Sequence, residues 1–446
     1  MILGHGSHGK QLAEILSEEG HDLTIIEQDC QRYEEATEKL DALTFLGSAT
    51  NIDILLEAEV DKMDVVVAFT DHDDVNIISC LIAKEHGVPK TIARINDEEY
   101  YKSLNRYSHQ KLGIDYCINP ELAVVDEICT MVKYLNAAEA VEFVKGEVVY
   151  LAYHIKPESP VVGRSIIQLY EETFEYRFIL LGLTRNNEMI LPKYEDLIQE
   201  NDTISFICRH SDIENISKVF GHIESNAHSI FLLGGGKVGL NVAKRLSSQH
   251  EVKVMDVSRN RCDFLAQELP EVLVLCTDNT DGETLREEGI EDSDIYLAMT
   301  GDDQSNILGA LLAKRCGAKR AIAVVGRPDL VRLAYSLGIT SCVNPRYVTS
   351  NLVLENIMGE TVYNISRLQE TDAEVIDFKV SKESKVIDKK LKELDIPRGI
   401  KIGAIIRNGD VIIPMGDDIL QAQDHVIILS TIHDVQKVEE IFSNNH

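Results

Sequence analysis

The chain lacks any apolar run approaching the ~18 residues needed to cross a bilayer. Its longest apolar patches, such as Val65-Val66-Val67-Ala68-Phe69, are of strand length. No basic-then-apolar leader follows Met1, so export is not expected. Basic residues are scarce: 44 Lys and Arg stand against 74 Asp and Glu, a formal net charge of -30. That balance repels phosphate backbones and anionic headgroups, which makes nucleic acid and bare membrane poor partners. It suits a basic protein surface, such as the cytoplasmic loops of a membrane protein, and equally suits plain solubility. The nine cysteines include no C-x-x-C and no metal-ligand spacing. They read as reduced cytosolic thiols, each a small core residue rather than a reactive one, and no metal site is expected.

What is present is a globular composition, 44% apolar and 26% charged over 446 residues, long enough for several cores. Internal similarity then decides the organisation. Gly4-His5-Gly6-Ser7-His8-Gly9 recurs as Gly234-Gly235-Gly236-Lys237-Val238-Gly239. Ala68-Phe69-Thr70 with Asp73 and Asn76 recurs as Ala298-Met299-Thr300 with Asp303 and Asn306, at the same offset of 230. Leu112-Gly113-Ile114 with Cys117, Asn119 and Pro120 recurs as Leu337-Gly338-Ile339 with Cys342, Asn344 and Pro345, at an offset of 225. Five residues are therefore missing from the intervening helix of the second copy.

Within each copy, short β-branched runs such as Leu23-Thr24-Ile25-Ile26 alternate with helical stretches such as Asp73 to His86. That alternation predicts βαβ units and a doubly wound parallel sheet. After Asn119-Pro120 an amphipathic helix is expected, with Val125, Ile128, Val132 and Leu135 on one stripe. A short strand-rich segment follows, and Arg185 to Pro192 is paralleled by Arg407 to Pro414. The fold class is α/β: two Rossmann-like domains (1–119 and 226–344), each followed by a crossover helix (120–138 and 345–360). A small α+β domain ends each half (139–225 and 361–446).

Each glycine motif stands after an apolar strand and opens a helix, the context a dinucleotide requires. The first glycine permits the tight turn, the second admits a pyrophosphate, and the third lets helix pack on strand. The helix N-terminus adds N–H groups and partial positive charge. An acidic residue ends the second strand of each copy, Glu27 and Asp256. A carboxylate there accepts from ribose hydroxyls and repels a 2′-phosphate, which favours NAD(H) or an adenine nucleotide over NADP(H). Arg94 ends the fifth strand, where a guanidinium meets a phosphate; its counterpart is Val324. Lys237, absent from the first loop, partly compensates, so two unequal sites are expected. Thr70, Asp73 and Asn76 are accounted for by helix capping, with ribose contact as a second role. The Asp71-His72-Asp73-Asp74 run reads as solvated loop charge.

Taken together the chain resembles the TrkA family, peripheral regulatory subunits of a prokaryotic potassium-uptake system. The resemblance rests on the two glycine motifs, the Gly47-Ser48-Ala49-Thr50 loop and the T-x-x-D-x-x-N stretches. Val161-Val162-Gly163-Arg164-Ser165 and Gly416-Asp417 fit the family's small domains. It implies a homo-oligomeric ring, expected to be a tetramer, on the cytoplasmic face of the cell membrane beneath an integral membrane potassium-transporter subunit. NAD(H) and ATP or ADP would act as regulatory ligands, not reagents. The implied contacts in the first site are Gly4, Gly6, Gly9, Glu27 and Arg94, with Ser48 and Thr70 beside them and Ser7 and His8 in the loop. In the second they are Gly234, Gly236, Gly239, Asp256 and Thr300, with Lys237 and Val238 in the loop. Two departures stand out: only Met1-Ile2-Leu3 precedes Gly4, as if the start were clipped, and Thr277-Asp278-Asn279-Thr280 replaces the first copy's Gly-led loop.

Two other readings compete. One is the gating ring of another potassium channel or the soluble part of a cation antiporter, since the absence of a pore segment says only that the pore lies on another chain. A soluble NAD-dependent oxidoreductase would need a substrate domain with an acid or base constellation, and the short duplicated segments show none. No catalytic residue is assigned. A DNA-binding redox sensor would need a basic face that a charge of -30 does not offer.

Overall fold

The computed structural model describes all residues except 19, 108, 174–175, 186–187, 223–226, 278–281, 340, 358–361, 369–372, 398, 432–433 and 443–446. Asn186 and Asn187 of the small-domain repeat, and Asp278, Asn279 and Thr280 of the departing loop, lie outside the described residues.

The first half opens with β1 (Ile2–Leu3), α1 (Ser7–Glu18), β2 (Leu23–Glu27), α2 (Cys30–Lys39) and β3 (Ala42–Leu46). It continues through α3 (Ile52–Glu57), β4 (Val65–Ala68), α4 (Asp73–Glu85), β5 (Lys90–Arg94), α5 (Glu98–Tyr107), β6 (Tyr116–Ile118) and α6 (Pro120–Lys133). A small domain follows: β7 (Glu139–Phe143), β8 (Val148–His154), α7 (Ile166–Glu172), β9 (Phe178–Arg185), β10 (Glu188–Ile190), β11 (Thr203–Arg209) and α8 (Ile213–Val219). The second half repeats this with β12 (Ser229–Leu233), α9 (Lys237–Leu246), β13 (Glu251–Asp256), α10 (Arg259–Glu268), β14 (Leu273–Cys276) and α11 (Gly282–Glu287). Next come β15 (Ile295–Ala298), α12 (Asp303–Arg315), β16 (Arg320–Val324), α13 (Pro328–Ser336), β17 (Ser341–Val343) and α14 (Pro345–Ile357). The last small domain holds β18 (Val362–Arg367), β19 (Ala373–Lys379), β20 (Ile400–Arg407), β21 (Asp410–Ile412), β22 (His425–Thr431) and α15 (Val435–Phe442).

Two six-stranded sheets run β3-β2-β1-β4-β5-β6 and β14-β13-β12-β15-β16-β17, with every pairing parallel. Their central strands, such as β12 and β15, are apolar and buried, as expected of a parallel sheet covered on both faces. The order reverses between β1 and β4, and again between β12 and β15, which opens a crevice beyond the strands' carboxyl ends. The small sheets, β10-β9-β11-β8-β7 and β18-β19-β22-β20-β21, are antiparallel and share one connectivity. The missing residues of the second copy fall mostly after the helix rather than within it. A 3-10 turn at His109–Leu112 follows α5, whereas α13 runs almost directly into Leu337-Gly338.

The chain divides into two compact units, Met1–Val124 with Pro345–Gly359, and Val125–Asn344 with Glu360–His446. In the first unit, α14 packs on α1 and reaches β5 and β6. Lys90, at the start of β5, donates to the carbonyl oxygen of Asn356 in the last turn of α14 at 2.6 Å. That turn ends in carbonyls without helical partners, and a cation there also meets the negative end of the helix dipole.

The second unit uses the same device more heavily. The expected stripe Val125, Ile128, Val132 and Leu135 is buried. Arg320, at the start of β16 and aligned with Lys90, is also buried. Its Nη1 donates to the carbonyls of Met131 (2.9 Å), Tyr134 (3.0 Å) and Leu135 (2.8 Å) at the end of α6. Its Nη2 donates to Ala137 O and, at 2.9 Å, to Ser341 Oγ. Burial pulls this guanidinium down to about 10, still charged at neutral pH. Within the same unit the small sheets share a core in which Leu181 and Ile207 meet Ala404, Ile427 and Leu429. Each sheet carries the same bidentate ion pair between a half-buried arginine and a buried aspartate, Arg185 with Asp202 and Arg407 with Asp424, all four bonds between 2.7 and 2.9 Å. Among the described residues no helix is long and apolar enough to cross a membrane.

Removing Arg320 would strand several buried carbonyls. Arg320→Met is expected to destabilise the protein by about 3 kcal/mol or more, and Lys90→Met by about 1 kcal/mol, read as shifts in urea midpoint. Equal effects would contradict the difference in bonding. A second prediction concerns pH. Glu127 on α6 and Glu355 on α14 are held by burial at about 7 and about 8. The folded state thus retains protons that the unfolded chain releases near 4.5. Stability from these groups is complete below that value and is lost as pH rises through 7 and 8. Glu355→Gln should flatten the fall in melting temperature across this window; an unchanged slope would refute it.

Candidate functional site

The first crevice begins where β1 turns into α1. Gly4 has φ +98°, in the left-handed region, and a Cβ on it would lie 3.1 Å from backbone atoms of Phe69 and Thr70. A Cβ on Gly9 would overlap the carbonyl oxygen of Gly4. These two glycines are therefore required by the chain's own packing. Gly6 is different: a Cβ there would meet only the tip of Arg32, at 3.5 Å, and its carbonyl accepts from Lys10 N at 2.8 Å to start α1. Its face looks into open space, as a close-approaching ligand needs. The second crevice repeats the pattern: Gly234 has φ +102°, Gly239 abuts Gly234 O, and nothing lies within 4 Å of a Cβ on Gly236.

Glu27 ends β2, buried, and holds the loop. It accepts from His5 N at 2.5 Å, Gln28 N at 2.8 Å and Asp29 N at 2.9 Å. A carboxylate offers about four lone-pair directions, so acceptor capacity remains for a hydroxyl. Asp256 likewise accepts from Gly235 N and Ser258 N, both at 2.8 Å. The cleft between these parts in the first unit has a volume of about 220 Å³, and its walls include Gly4, Gly6, Glu27, Arg32, Gly47 and Thr70.

Thr70, Asp73 and Asn76 act differently from simple caps. His72, not Asp73, stands at the N-cap of α4 and makes no side-chain cap bond. Asp73 instead accepts from Asn96 N and Asp97 N at 2.8 Å, tying α4 to the loop after β5. Fully buried Asn76 binds Thr70 N and Oγ1 through its oxygen, and Thr70 O and Arg94 O through its amide. The second copy repeats this with Asn306, Thr300 and Val324 O, and Asp303 accepts from Gly326 N and Arg327 N. There Asp302 does cap α12, through Ser305 N. These residues are clamps that set the crevice rim. Capping as the expected role of Asp73 and Asp303 is corrected accordingly.

Arg94 is held back from the cleft wall, its Nη1 3.1 Å from Asp71 and its Nε 2.9 Å from Asn96 Oδ1. Ser48 turns onto Thr50 Oγ1 at 3.0 Å, leaving Gly47 and Ala49 to line the cleft. Ser7 Oγ is 3.4 Å from His8 Nδ1. Burial, with the charges of Arg94 and Arg346 nearby, pushes His8 down to about 4, so it is neutral at neutral pH. Lys237 is exposed and Val238 half-buried at the start of α9.

Three cations escaped the sequence reading. Arg32 lines the first cleft. Arg261 lies over the second glycine loop and bonds Gly235 O. Each stands five residues beyond its crevice's acid, a repeat that could have revealed them. Arg346, on α14 near His8, lies so far along the chain that no local pattern signals it.

The TrkA-N domain family matches residues 1–120 and 230–345, and the TrkA-C domain family matches 151–221 and 375–443. A Trk system potassium uptake protein TrkA of Azorhizobium caulinodans is 32% identical over 448 residues, covering 99% of this chain and 98% of the relative. A TrkA homolog 2 of Methanosarcina mazei is 34% identical over 451 residues, covering 99% of both. Among solved structures, a GsuK channel bound to NAD aligns over all of this chain and 78% of its own, with a TM-score of 0.59. At 17% identity that likeness speaks for the fold alone. Both halves of the sequence match at domain level and the relatives match end to end: the chain belongs to the TrkA family.

Proposed function

We propose that this protein is a regulatory subunit of a potassium-uptake system that switches a membrane pore subunit according to bound nucleotide. The observation carrying this reading is the first crevice: open space at Gly6, a buried acid at Glu27 with acceptor capacity to spare, and Arg32 in its wall, with Arg94 paired to Asp71 beside it. A ribose hydroxyl donates to Glu27, a pyrophosphate sits on the N–H groups of Ser7 to Gly9, and the guanidiniums offset its charge. NAD(H), ATP and ADP all present those groups. Relatives named as Trk system potassium uptake proteins support the physiological setting.

Regulation needs a ligand that binds two conformations unequally. Copies of the chain form a ring, a tetramer in this reading, beneath the transporter's cytoplasmic surface, and the acidic chain faces that subunit's basic loops. Domain limits of 1–119, 139–225, 226–344 and 361–446 fit this scheme, with α6 and α14 transmitting motion. The two crevices are unequal, because Val324 replaces Arg94 and Arg261 already occupies Gly235 O.

Calorimetric titration with NADH, NAD, ATP and ADP tests the site. Arg94→Ala should weaken the first crevice for at least one nucleotide by about tenfold or more and leave the second unchanged. Two equal sites in the wild type, or unchanged affinities in Arg94→Ala, would refute the assignment. Co-purification from membranes with a potassium-transporter subunit tests the partner, and capture of an unrelated channel or antiporter instead would redirect it.

A further inference from the structure

The cysteines, dispersed along the sequence, are not all isolated in space. Cys276 ends β14 and is exposed; Cys262, in the first turns of α10, is buried beneath it. Parallel pairing sets Cys276 directly beside Asp256. Cys262 Sγ lies 3.3 Å from Asp256 O and 3.8 Å from Leu275 O, the carbonyl adjoining Cys276. Cys262 Sγ is thereby packed against the end of β14, where Cys276 stands. An accessible thiol thus stands against a sheltered one, on elements already packed together, at the edge of the second crevice.

We propose that Cys262 and Cys276 form a reversible dithiol–disulfide pair, oxidised by low-molecular-weight disulfides. Cys276, meeting solvent, attacks the reagent disulfide as its thiolate; one S–S bond breaks, one forms, and one reagent thiol leaves. Cys262 then attacks Cys276 Sγ, again as thiolate, and expels the second reagent thiol. Two protein thiols are oxidised, one reagent disulfide is reduced to two thiols, and each protein proton ends on a departing thiolate. Burial raises Cys262 to about 11, which favours Cys276 as the first to react and makes the second step the slower.

The bond would tie α10 to the end of β14. Cys262 would lose the S–H that donates to Asp256 O, and its neighbour Arg261, which bonds Gly235 O, would be fixed with it. Asp256 and Gly235 are the second crevice's acid and glycine loop, so oxidation changes nucleotide binding there; this consequence rests on the reading given under Proposed function, whereas the disulfide itself does not.

The test treats the full-length protein with oxidised glutathione, then digests it without reductant for mass spectrometry. A cross-linked peptide joining Cys262 to Cys276, lighter by two hydrogens and reversed by dithiothreitol, is expected. It should vanish in Cys276→Ser, whose site is exposed, and in Cys262→Ala, but persist in Cys30→Ser. Absence of the cross-link in wild type, or pairing of Cys276 with a different cysteine, overturns the proposal. Titration of reduced and oxidised protein decides the consequence: affinity at the second crevice should fall at least about fivefold. Equal affinities in both forms would overturn that regulation. If neither form binds any nucleotide, the functional reading fails while the cross-link still decides the disulfide.

Discussion

The contact between Gly9 and the carbonyl of Gly4 governs the first crevice. It brings the start of α1 so close to the strand that no side chain fits between them. The helix N-terminus is thereby aimed across the carboxyl ends of β1 and β4, at the point where strand order reverses. Glu27 then ties the loop to β2, and Asn76 ties β4 to β5. None of these bonds consumes the space at Gly6. The result is a preorganised cradle whose donors are already oriented, so that a ligand need not order them.

Duplication has preserved that scaffold while altering what surrounds it. Asn306, Thr300 and Asp303 repeat the rim bond for bond, yet the guanidinium of Arg94 is replaced by Val324. The cation that caps a crossover helix shows the same divergence. Lys90 makes a 2.6 Å bond to one carbonyl of α14, whereas Arg320 gathers the end of α6 with a planar fork. Geometry explains the difference in bonding, since a guanidinium presents five fixed donors and an ammonium is a compact point charge. The second unit is accordingly the more firmly stapled at that helix end.

Much of this was legible in advance because the signals are local. A β-branched run, a glycine spaced for a turn, an acid at a strand end and a stripe at helical spacing each declare themselves within a dozen residues, and each appears twice. Val125, Ile128 and Val132 were placed on a buried stripe correctly for that reason. The clamp role of Asp73 was misread because a helix-initial aspartate has the same local signature whether it caps its own helix or reaches the next loop. Arg32 and Arg261 were visible as a repeat but carried no motif.

The sequence by itself determined the α/β class, the twofold repetition, the two glycine loops and their acids, since these depend on backbone conformation and short-range periodicity. Only the tertiary structure decided that α14 lies on the first Rossmann sheet, that Arg320 closes the end of α6, and that Cys262 packs against the end of β14. Those contacts join residues far apart along the chain or on different elements. Which partners meet there is set by how whole surfaces pack, and no local spacing records that outcome.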